Sequence, residues 1–443
     1  FFKQKTAYEI PKRDWSSDVC SSDLPAFDGE KMHRMARAMM NILALADLGR
    51  DLGFKKLPVH EMFLPLTTKA EQPMKVRAAF REITGYHRSV FHGSGKIDAD
   101  ILESFEVTPL VEDVDSLLHI DRILRPYWRS IQKERDVADQ RIFLARSDPA
   151  MNAGLVPAVL AAKQAISHAY AVGEELGIGV HPVIGTGSLP FRGSVNPQYT
   201  DTFLHQYAGV RTYSIQSAFR YDYPLAEVKK ALKTIEKRVP LERVVRIPFE
   251  DAASIGKLCG IFEALWKPTI EAAAVLINDV AACMPRRRER LQHIGLFGYS
   301  RGVGKVRLPR AIGFTGALYS IGVPPELIAT GRGLRLAKDA GLLDIIETYY
   351  PALRDDLRHA GKYLNRENLA LLSKKSVHWK GVQEDVSLIE EILNITLEPE
   401  KPRHLIHRNL TSSIYQKLTS KDYAKDAIQR DIIDAAVIRR SLG

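Results

Sequence analysis

The stretch GTGSLPFRG, residues 185–193, sets three glycines and Pro190 around one cation, Arg192, directly behind the apolar run HPVI. A dinucleotide-binding fingerprint needs a third glycine where Pro190 stands, and a P-loop needs a Gly-Lys-Ser/Thr ending that is absent here. The remaining reading is a loop that ends a strand, lets its backbone approach a ligand and carries Arg192 to it. Other charged residues close or follow β-rich runs in the same way. Glu112 ends FEVTPLVE (105–112), Asp148 ends RIFLARSD (141–148), Arg301 follows HIGLFGYS (293–300), and Arg310 lies in LPRAIGF. Arginine offers a planar fork of donors that matches phosphate and carboxylate, so Arg192, Arg301 and Arg310 suit an anionic substrate carrying both. Ser147, Gly187 and Ser188 add hydroxyl and backbone donors for the same ligand.

Glu112 and Asp148 lie 36 residues apart, one β-α step. Neighbouring strands run ~4.8 Å apart, so carboxylates ending two of them can share one hard cation. Mg²⁺ or Mn²⁺, completed by water and substrate oxygens, suits that pair. Asp148-Pro149 also reads as a helix N-cap followed by proline at the first helical position. His60, His181 and His293 stand at strand starts, away from these ends, and are read as structural. No Ser-His-Asp or Cys-His arrangement emerges. Cys20, Cys259 and Cys283 follow neither a metal-ligand spacing nor an even disulfide set.

These residues must be positioned by the elements between them. From residue 25 onward β-rich runs alternate with amphipathic helices, and that alternation means parallel strands with right-handed crossovers. The runs are 59–66, 105–112, 141–148, 180–187, 212–219, 293–300 and a weaker 325–331, with helices such as 155–176 and 263–284 among them. Seven strands, with a helix at 29–49 preceding the first, predict an α/β fold: a TIM-type (β/α)8 barrel lacking its first strand. An open doubly wound sheet is the alternative. In a barrel the active site lies at the carboxyl ends of the strands, where the charged residues fall. Beyond about residue 335 the chain reads as a helical appendix. The predicted division is therefore 25–335 for the barrel and 336–443 for the appendix.

The chain has 443 residues, 45% hydrophobic and 26% charged, with a net charge of +10. It is long enough to bury a large core. No run approaches the ~20 apolar residues of a membrane helix, so neither a membrane nor a secretory route is expected, and the cytoplasm is the predicted location. The one dense basic cluster, PRRRER (285–290), follows a helix end, where basic residues complement the helix dipole. It is therefore not read as a nucleic-acid site, and a small anionic substrate also uses the surplus charge. Residues 1–24, FFKQKTAYEIPKRDWSSDVCSSDL, have no periodicity and resemble the reading-frame translation of a sequencing adaptor and its read primer. They are set aside from the fold, as a tag would be.

The blocks FLARSDPAMNAGLVPAV, VIGTGSLPFRGSVNP, TYSIQSAFRYD and HIGLFGYSRGVGKVRLPRAIGFTGALYSIGVPPELI resemble the short, archaeal-type phosphoenolpyruvate carboxylases, over about residues 25–335. The resemblance implies a (β/α) barrel, a Mg²⁺ or Mn²⁺ requirement, a homotetramer, and conversion of phosphoenolpyruvate and bicarbonate to oxaloacetate and phosphate. By similarity Glu112 and Asp148 fall at metal ligands, and Arg192, Arg301 and Arg310 at arginines that contact phosphate, bicarbonate and the developing enolate. A different barrel acting on phosphoenolpyruvate or pyruvate, an aldolase or lyase, is the alternative enzyme. Met151 stands where the longer bacterial and plant enzymes have a lysine, and Ile184 and Thr186 where they have a histidine and an arginine. Those departures favour the short branch. The family's Thr-Gln-His-Pro motif, with its catalytic histidine, and the Leu-Arg-Val run of its first strand do not occur here. The expectation from sequence is accordingly an amino-terminally truncated product, inactive as written.

Overall fold

The computed structural model describes residues 32–54, 57–91, 105–285, 301–303, 306–420 and 422–443, with the side chains of 32–34 and 301–303 outside that description. The expectations for residues 1–24, for the strand at 293–300 and for Arg286–Arg290 lie outside the described residues, as do Cys20 and His293. The fold is α/β, with a parallel sheet and a mostly helical remainder. Two compact units divide the described residues: those up to 144, with 165–183, form one, and those of 145–164 and from 184 onward form the other.

The first unit opens with α1 (Met32–Asp51), β1 (Glu61–Leu64), α2 (Glu71–Phe91) and β2 (Glu106–Val111). Helices α3 (Val114–Leu118) and α4 (Asp121–Gln132) then lead to β3 (Asp139–Ala145). Met35, Met39, Ile42, Leu43 and Ala46 recur at helical spacing on α1, and this one apolar stripe packs with Met62, Leu64, Val76, Phe80 and Phe105. Phe80 and Phe105 stack with ring centroids 4.2 Å apart. Strands β1 and β2 pair in parallel with Glu61 opposite Glu106, and β2 pairs with β3 with Val111 opposite Leu144. Tyr127, fully buried on α4, donates its hydroxyl to the Val107 carbonyl and ties that helix to the sheet. At the carboxyl end of β1, Leu66 adopts a left-handed φ of 54°.

The second unit begins with α5 (Ser147–Ala153), the start of α6 (Leu155–Leu176) and the last residues of β4 (Gly179–Gly185). A 3₁₀ turn at Pro190–Arg192 follows, then α7 (Thr200–Gln206) and β5 (Thr212–Tyr213), which joins the end of β4 through Ser214 N–H to the Ile184 carbonyl at 3.1 Å. Next come α8 (Leu225–Arg238), the 34-residue α9 (Phe249–Ala282) and an antiparallel hairpin of β6 (Arg301–Val303) with β7 (Val306–Leu308). Helices α10 (Ala311–Ser320), α11 (Thr330–Asp339), α12 (Leu343–Tyr349), α13 (Leu353–Gly361), α14 (Arg366–Ser373), α15 (Val377–Leu393), α16 (Pro402–Ser420) and α17 (Lys425–Arg439) complete it. On α9 the buried residues Ile255, Cys259, Phe262, Trp266, Ile270, Ala273, Ile277 and Val280 recur every three or four positions, so one face stays against the core for its whole length.

Three expected strands differ. The 141–148 run stops at Ala145, and Ser147 and Asp148 instead open α5, where an acidic side chain in the first turn complements the helix dipole. The 212–219 run is extended only over Thr212–Tyr213, because Ala218–Asp222 wind into a π turn. The 325–331 run is not a strand. Pro325–Leu327 form a 3₁₀ turn, Ala329 takes a left-handed φ of 61°, and α11 begins at Thr330. Asp385, fully buried on α15, accepts the Ala329 and Arg332 N–H groups at 2.8 Å each, which favours the start of a helix over a strand.

Candidate active site

The loop behind β4 gathers most of the chemistry predicted for the second unit. Pro190 opens its 3₁₀ turn, a position where a missing N–H costs nothing. Gly193 closes it with a φ of 110°, a conformation that only glycine adopts without strain. Arg192 ends inside the protein at 5% exposure. Its Nε donates to Ser147 Oγ at 3.2 Å and its Nη2 to Gln216 Oε1 at 2.9 Å, while Nη1 bonds the Gly443 carbonyl. Gly187 makes room for it, since a Cβ there would fall 2.7 Å from Arg192 Cζ. Ser188 donates to Ser441 Oγ at 2.9 Å.

Ser147, Gly187 and Arg192 therefore converge, with Asp148 the next residue along α5. Arg310 stands apart, exposed at the N-cap of α10, and among the described residues its side chain makes no hydrogen bond or ion pair. Gly443 links the two regions, because it packs so closely on α10 that a Cβ would fall 2.0 Å from the Ile312 carbonyl oxygen. Arg301 begins β6, and its side chain lies outside the described residues.

Glu112 belongs to the first unit, directly behind β2 and 4% exposed, and accepts the Leu66 N–H at 2.8 Å. It thereby holds the left-handed turn behind β1, a role the sequence did not suggest. Among the described residues no group of three or more His, Cys, Asp or Glu is placed to hold a metal ion. A closed zinc-like cage is thus not what these residues offer.

Residues that the sequence did not single out hold the Arg192 loop. Arg146, fully buried, donates from Nη1 to the Phe191 carbonyl at 3.1 Å and from Nε to Tyr207 Oη at 2.8 Å. Asp356 accepts the Ser194 hydroxyl and the Tyr350 hydroxyl at 2.7 Å each, and burial raises its pKa above the usual carboxylate range. Glu326 accepts the Phe191 N–H and the Tyr319 hydroxyl at 2.8 Å each, and burial pushes its carboxyl up to about 7. The Phe191 ring stacks against both Trp266 and Phe314, at 5.6 and 5.7 Å, in a triangle of rings whose third side is 6.2 Å. Met151, at the position of the expected lysine, is fully buried, and its carbonyl accepts the Trp266 indole N–H at 2.8 Å.

A family profile described as phosphoenolpyruvate carboxylase matches residues 24–443. The chain belongs to the phosphoenolpyruvate carboxylase family. It is 36% identical to a phosphoenolpyruvate carboxylase of Metallosphaera sedula over 430 residues, covering 95% of this chain and 82% of that one. It is 35% identical to one from Caldivirga maquilingensis, covering 92% and 80%, and 32% identical to one from Leuconostoc mesenteroides, covering 94% and 81%. The carboxylase match runs on through α12–α17, the helices beyond residue 335 that the sequence motifs left unplaced. Among the described residues no helix is long and apolar enough to cross a membrane.

Proposed function

We propose that the protein expressed from the native gene carboxylates phosphoenolpyruvate with bicarbonate, giving oxaloacetate and phosphate, on a (β/α)8 barrel with additional C-terminal helices. The observation that carries the reading is the extent of the family match, residues 24–443, which takes in the Arg192 loop and both carboxylates. A bicarbonate oxygen attacks the phosphorus of phosphoenolpyruvate, the bond from phosphorus to the enol oxygen breaks, and carboxyphosphate and the pyruvate enolate result. Carboxyphosphate loses CO₂ and leaves phosphate, and the enolate carbon attacks CO₂ to form oxaloacetate. Three anions must be held together while charge moves among them, which is work for preorganised guanidinium groups in a dry site. Arg192 is assigned to that work with Arg301 and Arg310. Ser147, Gly187 and Ser188 are assigned to the substrate, Ser147 by orienting Arg192 and Gly187 by leaving it space.

Glu112 and Asp148 are the residues that would hold a divalent cation, Mg²⁺ or Mn²⁺. Glu112 directly follows Val111, which pairs with Leu144, and Asp148 lies four residues beyond Leu144. When bound, the cation supplies Lewis acidity that stabilises enolate charge. The enolate must also be kept from water, and the glycine-rich loop over Arg192 serves that end. The assembled enzyme is assigned to the cytoplasm as a homotetramer.

The test is oxaloacetate formation from phosphoenolpyruvate by protein expressed from the native gene, followed through coupled reduction to malate. Turnover should depend on bicarbonate and on Mg²⁺ or Mn²⁺, release one phosphate per oxaloacetate, and fall at least 10³-fold in Arg192→Ala. Phosphoenolpyruvate consumption indifferent to bicarbonate would replace this reading with that of an aldolase or lyase on the same kind of barrel.

A further inference from the structure

Glu326 is 0% exposed, and one of its oxygens, Oε2, is buried with no hydrogen-bond partner among the described residues. Burying a carboxyl group and leaving half of it unsatisfied is unfavourable, and an apolar side chain of similar size would avoid that cost. Its other oxygen, Oε1, is fully used by Phe191 N–H and the Tyr319 hydroxyl, at 2.8 Å each. Phe191 is the residue before Arg192, in the first turn of a 3₁₀ helix, where N–H groups have no acceptor within the helix. The later amides of the turn bond internally, Arg192 and Ser194 to the Leu189 carbonyl and Gly193 to that of Pro190. Phe191 must find its acceptor elsewhere, and Glu326 supplies it from 135 residues away in sequence. Arg146 grips the same residue by its carbonyl, and Trp266 and Phe314 hold its ring.

We propose that Glu326 is a positioning residue for Arg192: by fixing the Phe191 peptide it sets the direction in which the guanidinium leaves the turn. The inference rests on the assignment of Arg192 to the carboxylation site. Glu326 itself is not placed against substrate, so its contribution passes through Phe191. A carboxyl reaching from the 325–327 turn is needed because the acceptor must arrive at one point. Reach therefore matters more than charge.

Two variants separate reach from charge. Glu326→Asp keeps the charge but withdraws the acceptor by one methylene, whereas Glu326→Gln keeps the acceptor without the charge. Amide hydrogen exchange of the native-gene protein, read on the peptide spanning 188–194, should accelerate at least 10-fold in Glu326→Asp and stay near wild type in Glu326→Gln. Turnover should fall on the order of 10- to 100-fold in Glu326→Asp, since a small misplacement of a catalytic group costs about that much. It should remain within about 5-fold of wild type in Glu326→Gln. In an Arg192→Ala background Glu326→Asp should change the residual rate less than 2-fold, because the group it positions is gone. Full additivity in that background, or faster exchange spread over the whole second unit, would make Glu326 a general packing residue and overturn the proposal. Unchanged exchange at 188–194 would overturn it as well. Exchange needs no substrate, so a wild-type protein that fails to form oxaloacetate sinks the carboxylase reading and leaves the test of Glu326 intact.

Discussion

At the scale of single residues, the site depends on an atom that is missing. Gly187 has no side chain, and Arg192 occupies the space, with its Cζ 2.7 Å and its Nε 2.9 Å from where a Cβ would stand. Because the obstruction is a guanidinium fixed by Ser147 and Gln216, one methyl group must displace the arginine or break those bonds. Gly187→Ala is expected to lower turnover by about 10- to 100-fold while moving the thermal midpoint only a few degrees. Steady-state rates beside a melting curve check it, and wild-type turnover would show that Arg192 needs no fixed placement. The close approach of Gly187 and Arg192 was legible in sequence because a glycine-rich loop behind an apolar run declares both its shape and its cation. Arg146, Glu326 and Asp356 were not, since they meet the loop from 45, 135 and 162 residues away. A buried charge with a distant partner leaves no local spacing to read.

Elements were legible where the pattern repeats. The expected helix 155–176 matches α6 (Leu155–Leu176), and the runs at 59–66, 105–112 and 180–187 contain or overlap β1, β2 and β4. Failures came where a tertiary contact overrides local preference. The apolar stretch at 325–331 has strand-like composition, yet Asp385 gathers two backbone amides at the start of α11 and pairs with Arg332 through Nε and Nη2, both at 2.9 Å. That carboxylate is fully buried, so removing it leaves two backbone amides without their acceptor and a half-buried guanidinium without its partner. Asp385→Ala should destabilise the protein by about 3 kcal/mol or more, whereas Asp385→Asn, which keeps an acceptor, should cost less. Denaturant unfolding measures both, and a cost under about 1 kcal/mol for the alanine would mean that α11 holds its start without help.

For the molecule as a whole, buried titratable groups make stability depend on pH with opposing signs. Glu326 has a pKa raised from 4.5 to about 7 in the folded protein, so the folded state holds a proton that the unfolded state has released between those values. Stability from this group is then greatest below about pH 4.5 and is lost as pH rises toward 7, on the order of 3 kcal/mol in all. Burial also raises Asp356 and Asp385, which act with the same sign over their own windows. The histidines of α13 and α16 do the reverse: burial drives His359 down to about 3 and lowers His404 and His407, so they favour folding above pH 6.5 and destabilise as pH falls below it. Lys163, whose pKa burial lowers from 10.5 to about 8, adds stability as pH climbs from 8 toward 10.5. Between about pH 5 and 7 the histidines and Glu326 titrate together with opposite signs, so the contribution of Glu326 is isolated by comparing wild type with a variant that lacks its proton. The stability of wild type relative to Glu326→Gln should therefore fall as pH rises from about 5 to 7, measured by denaturant midpoints of both proteins at closely spaced pH values. If the difference between the two proteins does not change with pH over that range, the carboxyl beneath the Arg192 turn takes up no proton on folding.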